Sequence, residues 1–145
     1  MRSVKFQPGK KISRLSVPTT DGWKPVAENV LSQLKPGSIL AVQGDLGAGK
    51  TTFIQALAKE LGIKRFVPSP TFSLMRSYKV SPAVNGIKRL IHVDAYRLKN
   101  ARELMVLDLD EELSDGGSVL VLEWPEKVEA WLAARMKQTV KLSIE

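Results

Sequence analysis

Cysteine is absent from the 145 residues of this chain, and histidine occurs once, at His92. Without cysteine the protein can form no disulfide bond and can use no thiolate as a nucleophile. A single histidine cannot build a zinc site, because such sites draw on several cysteine, histidine or carboxylate ligands. The two absences exclude disulfide-stapled folds, thiol chemistry and a histidine-based zinc centre.

Long apolar segments are also missing. No run approaches the roughly 18 consecutive apolar residues that would span a bilayer. The basic start, residues 1–5, is not followed by the apolar run of a secretory signal. We therefore expect a soluble, cytoplasmic protein with no membrane partner. A length of 145 residues with 43% hydrophobic and 26% charged residues suits one compact domain.

Acidic residues are scarce in the first two thirds of the chain. Residues 1–40 carry seven lysines and arginines against two acidic residues, and residues 41–100 carry ten against three. Residues 101–145 reverse this balance, with five basic and ten acidic residues. The basic part suits a phosphate-bearing partner such as a nucleotide or RNA, although ordinary solvated surface is the alternative. No arginine-rich tract or stacking-aromatic motif indicates direct binding of nucleic acid.

Apolar periodicity and chain breakers predict strands that alternate with helices. The predicted strands cover residues 12–17, 38–43, 71–80, 89–93, 118–122 and 139–144. The predicted helices cover residues 23–34, 51–61, 101–113 with a break around 107–108, and 125–135. We expect residues 81–86 to form a hairpin turn around Asn85-Gly86, and residues 139–144 to form a half-exposed edge strand. Residues 1–11 are expected to be a loose basic arm, and residues 12–145 a single α/β domain.

Residues 44–51 match the phosphate-binding pattern G-x-x-x-x-G-K-[ST]. They lie between an apolar strand and an amphipathic helix, which is the context that the pattern requires. Glycines allow backbone amides to surround phosphate oxygens, the lysine reaches the β- and γ-phosphates, and the threonine hydroxyl binds Mg²⁺. The residues predicted to hold ATP are Gly44, Asp45, Leu46, Gly47, Ala48, Gly49, Lys50, Thr51 and Thr52.

Two carboxylates follow predicted strands, Asp94 after residues 89–93 and Glu123 after residues 118–122. Ligands of open α/β sheets bind at the carboxyl ends of the strands. One carboxylate is therefore expected to hold Mg²⁺ with Thr51, while the other orients or deprotonates an attacking water. Thr71 follows a serine that is flanked by prolines. The residues alone favour equally a γ-phosphate sensor and an ordinary turn at this position. For His92 we expect a buried, hydrogen-bonded imidazole rather than a catalytic base.

Four segments in this order resemble the bacterial TsaE family, also called the YjeE type: GDLGAGKTT at 44–52, SPTF at 69–72, HVDAYRL at 92–98 and EWP at 123–125. The resemblance implies a P-loop NTPase-like, three-layer fold, with a mostly parallel sheet, antiparallel edge strands and helices on both faces. It implies a weak ATPase that works with TsaB and TsaD to make threonylcarbamoyladenosine in tRNA, with tRNA met through the complex.

The same resemblance implies roles for individual residues. Lys50 and Thr51 would bind phosphate and Mg²⁺, Asp94 and Glu123 would serve at the metal or the attacking water, and Thr71 would lie in a loop that senses the nucleotide. Trp124 would help to shape the active site. Three segments depart from the family pattern: the lead-in at 18–23, the hairpin loop at 81–86, which is expected to be longer than usual, and the apolar residues 104–107.

Three other functions remain as alternatives. A small-molecule kinase shares the phosphate loop but needs a second substrate pocket and an arginine-bearing lid, for which 145 residues leave little room. A GTPase needs an Asn-Lys-x-Asp segment to bind guanine, and the sequence has none. An RNA-binding module would use the basic surface, and its binding would survive the loss of Lys50 but fall steeply with salt.

Overall fold

A computed structural model describes residues 2–8, 13–17, 22–45, 47, 49–65, 67–68, 70 and 74–145. Within these ranges the strands are β1 (Arg2–Pro8), β2 (Ser13–Val17), β3 (Ile39–Gly44), β4 (Met75–Val84), β5 (Ile87–Asp94), β6 (Ser118–Glu123) and β7 (Thr139–Ile144). The α-helices are α1 (Trp23–Leu31), α2 (Lys50–Glu60), α3 (Ala101–Met105), α4 (Leu109–Leu113) and α5 (Glu129–Ala133).

The described strands form one seven-stranded sheet in the order β2-β1-β7-β3-β6-β5-β4. Its four central strands β7, β3, β6 and β5 run parallel. At one end β1 pairs antiparallel with both β7 and β2, and at the other end β4 pairs antiparallel with β5. This arrangement confirms the predicted α/β class, with its mostly parallel centre and antiparallel edges.

Two apolar cores lie on opposite faces of the sheet, because successive residues of a strand point to opposite faces. In β3, Leu40 and Val42 pack in the core under α1 and α2. Ile39 and Ala41 pack in the core under α3, α4 and α5. β6 and residues 39–42 of β3 are buried on both faces, as parallel strands covered by helices should be. The predicted three-layer arrangement is therefore confirmed.

Two predictions about the ends of the chain are wrong. Residues 2–8 are not a loose arm, because β1 pairs with both β2 and β7. As a consequence β7 lies inside the sheet, between β1 and β3, and is not an edge strand. The alternating pattern of β7 has another cause: Val140 and Leu142 pack in the α1/α2 core, whereas Lys141 on the other face is exposed.

The β4–β5 hairpin is tighter than predicted. Asn85 and Gly86 both have positive φ, 52° and 78°, as a two-residue type I′ turn requires. β4 continues to Val84 across a register irregularity that begins at Lys79. Residues 81–84 therefore belong to the strand, and the expected long loop at 81–86 is wrong. The Asn85 side-chain amide donates to the Leu31 carbonyl at 3.3 Å and ties this turn to the end of α1.

Helix boundaries follow local chemistry. The predicted break at 107–108 is confirmed, because Asp108 has left-handed backbone between α3 and α4. The predicted helix over 125–135 is divided into a 3-10 helix, Pro125–Val128, and α5. Val128 leaves helical geometry at φ −134°, which separates the two segments.

Candidate functional site

The phosphate loop joins the end of β3 to the start of α2, as the sequence predicts. Gly49 caps the helix with a left-handed backbone at φ 111°, and Gly47 has φ 78°. Residues with side chains rarely adopt these angles, which explains the two glycines. The first turn of a helix has unpaired backbone amides and a positive partial charge, so this loop presents a favourable place for an anion. Leu46 and Ala48 lie outside the described residues.

Gly49 is also the point where the loop touches α1. A Cβ atom at this position would lie 2.6 Å from Cζ2 of Trp23, a buried ring that also packs edge-on against Phe53. Such a distance is too short for a carbon–carbon contact, so one of the two groups would have to move. The loop therefore lies directly against the apolar core through its glycine.

Gly49→Ala is expected to reduce the free energy of unfolding more than Gly47→Ala does. Both substitutions place a side chain on left-handed backbone, which costs about 1–2 kcal/mol. Only Gly49→Ala adds the contact with Trp23, since nothing lies within 4 Å of a Cβ at Gly47. Urea unfolding of the two variants measures the difference, and equal losses would show that the Trp23 ring moves aside without cost.

Lys50, the first residue of α2, has its side chain directed back over the loop. Its ammonium group donates to the carbonyl of Gly44 and lies 3.7 Å from the centroid of the Trp124 ring. The residue is 7% exposed. Burial lowers the pKa of this ammonium, and the carboxylates of Glu123, Glu126, Asp94 and Asp45 act in the opposite direction. A partly desolvated cation held over a loop of amides is well suited to bind phosphate oxygens.

Asp94 and Glu123 end neighbouring parallel strands and are direct partners in the β5–β6 register. The two side chains therefore lie on the same face of the sheet, which is the face that α2 covers. Asp94 Oδ1 accepts a hydrogen bond from the backbone amide of Tyr96 at 3.0 Å. Burial raises the pKa of Asp94, while the Tyr96 amide lowers it and the nearby Glu123 raises it further. The predicted pairing of the two carboxylates at one sheet edge is present.

Glu123 is 3% exposed, and its Oε2 lies 2.7 Å from Nε2 of His92. His92 is 1% exposed. The single histidine of the chain is thus buried and hydrogen-bonded, in agreement with the interpretation of the sequence.

Trp124 follows Glu123 with φ 57°, a left-handed conformation that is unusual for a bulky residue. Its ring lies 4.9 Å from the Tyr96 ring, centroid to centroid, and beneath the Lys50 ammonium. Cation–π attraction favours this placement of the ammonium. Strained backbone is common at functional sites, and here it turns the indole towards the loop.

One cavity of about 470 Å³ collects these groups. The predicted residues that line it are Asp45, Gly47, Gly49, Lys50, Thr51, Thr52, Asp94, Glu123 and Trp124. Gly44 contributes through its carbonyl, which accepts from Lys50. Thr71 lies outside the described residues, so its sensing role stays a prediction. Four further residues line the cavity without having been predicted as site residues: Pro70, Leu74, Tyr96 and Arg97.

The oxygen-bearing side chains in the cavity suit a magnesium ion that is coordinated by protein and phosphate oxygens together. Mg²⁺ in such sites takes one or two carboxylates and completes its shell with phosphate oxygens and water. Asp94, Glu123 and the hydroxyl of Thr51 line the same cavity. In the part of the chain that the structure describes, no three His, Asp or Glu side chains form a metal-binding group, so an all-protein cage is not present there.

The model of the family "Threonylcarbamoyl adenosine biosynthesis protein TsaE" matches residues 17–145. This chain belongs to the TsaE family. The match includes the phosphate loop, both carboxylates and Trp124.

Two relatives within the TsaE family are similar to this chain over most of its length. The tRNA threonylcarbamoyladenosine biosynthesis protein TsaE of Bacillus subtilis is 38% identical over 117 residues, which cover 81% of this chain and 69% of that protein. The protein of the same description from Streptomyces coelicolor is 42% identical over 113 residues, covering 77% and 73%.

A solved crystal structure, that of Bacillus subtilis YdiB, superimposes on this TsaE-family chain with a TM-score of 0.53 at 36% identity. The match covers 72% of this chain and 58% of the YdiB chain. The chain thus spans less than two thirds of that solved protein. Among the described residues, no helix is long and apolar enough to cross a membrane.

Some of the lining residues that were not predicted could have been found from the sequence. Tyr96 and Arg97 come two and three residues after Asp94, and the hydrogen bond from the Tyr96 amide to Asp94 Oδ1 turns the chain beside the cavity. An aspartate that binds the amide two residues later is a common turn, so its position after a strand predicts this bend. Pro70 belongs to the SPTF segment at 69–72, which the sequence already indicates as a part of the site, whereas nothing in the residue pattern relates Leu74 to the loop.

Asp94→Asn is expected to make this TsaE-family protein more stable at pH 7. Burial raises the pKa of Asp94 above its ordinary value of 3.8, so the folded state binds the proton more tightly than the unfolded state. Stability is then lost as the pH rises from the ordinary pKa through the raised one. Asparagine carries no charge and keeps an oxygen for the Tyr96 amide.

Urea unfolding across pH measures this effect. The stability advantage of Asp94→Asn over the wild type should be present at pH 7 and should shrink towards about pH 3, where both states of the wild type are protonated. An asparagine variant that is less stable than the wild type at pH 7 would contradict the assignment of burial as the dominant cause.

Proposed function

We propose that this chain is a magnesium-dependent ATPase subunit required for threonylcarbamoyladenosine modification of tRNA. The observation that carries the proposal is the convergence of three groups in one cavity. These are the Lys50 ammonium, the amides at the start of α2, and the carboxylates of Asp94 and Glu123. The cation and the amides suit the binding of a polyphosphate. The two carboxylates suit the binding of a metal ion and of a water molecule, both of which are needed for attack on the terminal phosphate.

Each residue has a defined part in this proposal. Lys50 binds the β- and γ-phosphates and neutralises charge that develops as the terminal phosphoryl group leaves. Thr51 and Asp94 would hold Mg²⁺, which would supply positive charge to stabilise the phosphate oxygens. Glu123, buried at the floor of the cavity, orients the attacking water and accepts its proton, with a further part at the metal. Trp124 supports the Lys50 ammonium through the face of its ring.

Family membership supports the biological context. The relatives from Bacillus subtilis and Streptomyces coelicolor are both described as tRNA threonylcarbamoyladenosine biosynthesis proteins. We extend this role to the present chain, with TsaB- and TsaD-type proteins as partners, tRNA met through the complex, and the cytoplasm as the compartment. Hydrolysis by the isolated chain is weak, and the partner proteins stimulate it.

Reconstitution of tRNA threonylcarbamoylation with the partner proteins tests the biological part. Modified tRNA from many rounds of reaction is expected only when both this chain and ATP are present. Product that accumulates equally without this chain would overturn the proposal.

The chemical part needs a separate assay, because a small-molecule kinase shares the phosphate loop. ATP labelled in the γ-phosphate is incubated with Mg²⁺ and this chain, and the label is followed. Release as inorganic phosphate, with water as the only acceptor, is the expected result. Label that appears on a metabolite would favour the kinase, and a preference for GTP in competition would favour a GTPase.

A further inference from the structure

The hydrogen bond between His92 and Glu123 has no part in the roles described so far. His92 Nε2 lies 2.7 Å from Glu123 Oε2, and the side chains are 1% and 3% exposed. An ionised carboxylate only accepts hydrogen bonds, so the imidazole carries its hydrogen on Nε2 and donates it. A charge-assisted hydrogen bond between buried groups is stronger than one between neutral groups.

The sheet register fixes the relative position of the two residues. His92 lies opposite Val121 in the β5–β6 pair, one step before the pair formed by Asp94 and Glu123. Residues two apart on a strand share a face, so His92 is on the same face as both carboxylates and deeper in the sheet. Glu123 lines the cavity, whereas His92 is not among the described residues that line it. The hydrogen-bond contact of His92 with the groups of the cavity is therefore made through Glu123.

The other ring nitrogen supports this direction of donation. His92 Nδ1 is buried and has no hydrogen-bond partner among the described residues. In a neutral imidazole with hydrogen on Nε2, Nδ1 is an acceptor and carries no hydrogen. The hydrogen bond that one ring nitrogen makes determines which tautomer is present, and here Nε2 makes that bond with Glu123.

We infer that His92 is the positioning residue for Glu123, holding one carboxylate oxygen so that the carboxylate keeps a single orientation at the cavity floor. The inference rests on the proposed role of Glu123 in ATP hydrolysis. A glutamate side chain has three rotatable bonds, and anchoring one oxygen at 2.7 Å removes most of that freedom. Without the donor, a buried carboxylate loses a hydrogen bond and turns to whatever other donor it can reach.

Steady-state ATPase kinetics of two variants test the inference. His92→Leu keeps an apolar side chain of similar size but removes the donor, and its kcat is expected to fall about 10- to 100-fold, as for residues that orient a catalytic group. The KM for ATP should stay within about threefold, because the phosphate-binding groups are unchanged. His92→Gln places an amide donor near the position of Nε2, and it should recover most of the lost kcat.

A double-mutant comparison separates positioning from a general structural role. In a Glu123→Ala background, His92→Leu should cause no further fall in kcat, because the residue it positions is already absent. A purely structural role would lower the thermal midpoint and leave the kcat of the folded fraction unchanged. Equal kcat for His92→Leu and the wild type, or no recovery with His92→Gln, would overturn the inference.

The single histidine allows a test that does not depend on activity. Nitrogen-15 labelling of histidine in the full chain gives one imidazole spectrum. Hydrogen on Nε2 that exchanges slowly with water is expected in the wild type, with fast exchange in Glu123→Ala. A ring protonated on Nδ1 instead, or an exchange rate insensitive to Glu123, would contradict the inference. If the wild type hydrolyses no ATP, the proposed function fails, and this spectrum still decides whether His92 holds Glu123.

Discussion

Replacing Lys50 with alanine is expected to weaken ATP binding by at least about 100-fold, because the proposed role of its ammonium is to bind both the β- and the γ-phosphate. Each hydrogen bond to a charged group contributes about 1.5–3 kcal/mol and 1.4 kcal/mol is tenfold in affinity, so two such bonds correspond to at least about 3 kcal/mol. Lys50 is the first residue of α2 and is 7% exposed, with its ammonium over the loop. Without it, the carboxylates of Asp94 and Glu123 face the phosphates without a compensating cation. Repulsion between like charges then adds to the lost attraction. Isothermal calorimetry with an ATP analogue and Mg²⁺ measures the change.

Two control variants sharpen this experiment. Lys59→Ala removes the same charge from the exposed last turn of the same helix, so its ATP affinity should equal that of the wild type. Lys50→Arg keeps the charge with a longer, planar head, and it should retain part of the binding. Wild-type ATP affinity in Lys50→Ala would show that Lys50 is not the cation that binds the phosphates. It would also favour a function based on the basic surface, and the salt dependence of RNA binding would then be the measurement to make.

Much of the fold was predictable because local and tertiary signals agree. The strand that ends in Gly44 and the helix that begins at Lys50 have apolar residues at the right spacing and glycines at the turn. Asn85-Gly86 specifies its two-residue turn directly, through two positive φ angles. In these segments the residue types dictate the conformation, so the sequence alone is enough.

The errors lie where pairing between distant segments decides the structure. The strand character of residues 2–8 depends on pairing with β7, which is more than 130 residues away in the sequence. Polar and apolar alternation in β7 indicates one exposed face but not whether both edges are paired. Helices α3, α4 and α5 leave Lys141 uncovered, and no local pattern contains that information.

The grouping of the candidate site's residues was predictable from the sequence, whereas parts of its geometry were not. Strand ends could be located from apolar runs, so Asp94 and Glu123 were expected to lie together. The hydrogen bond of Glu123 to His92 depends on the β5–β6 register, which sequence patterns do not determine. The position of Lys50 over Trp124 depends on a left-handed backbone at a tryptophan, which residue preferences disfavour.

Glu123→Gln is expected to lower the rate of ATP hydrolysis by about 10²- to 10⁴-fold, the range typical of general acid–base groups, while ATP binding is largely retained. Glutamine is the informative choice because its carbonyl oxygen still accepts the hydrogen bond from His92 Nε2. It keeps the shape of the buried side chain and loses only the negative charge that accepts a proton. Glu123→Ala should lower the rate similarly, but it also leaves the His92 donor without its partner in the core.

Single-turnover measurements with excess enzyme isolate the chemical step from product release. Glu126→Ala is the matched control, since Glu126 is an exposed carboxylate that also acts on the Lys50 ammonium. If loss of nearby negative charge were enough to slow hydrolysis, Glu126→Ala would share the defect. If Glu123 acts on the attacking water, only the Glu123 variants should slow. Hydrolysis at the wild-type rate in both Glu123 variants would leave Asp94 as the carboxylate that acts in catalysis, with Glu123 as a buried structural partner of His92.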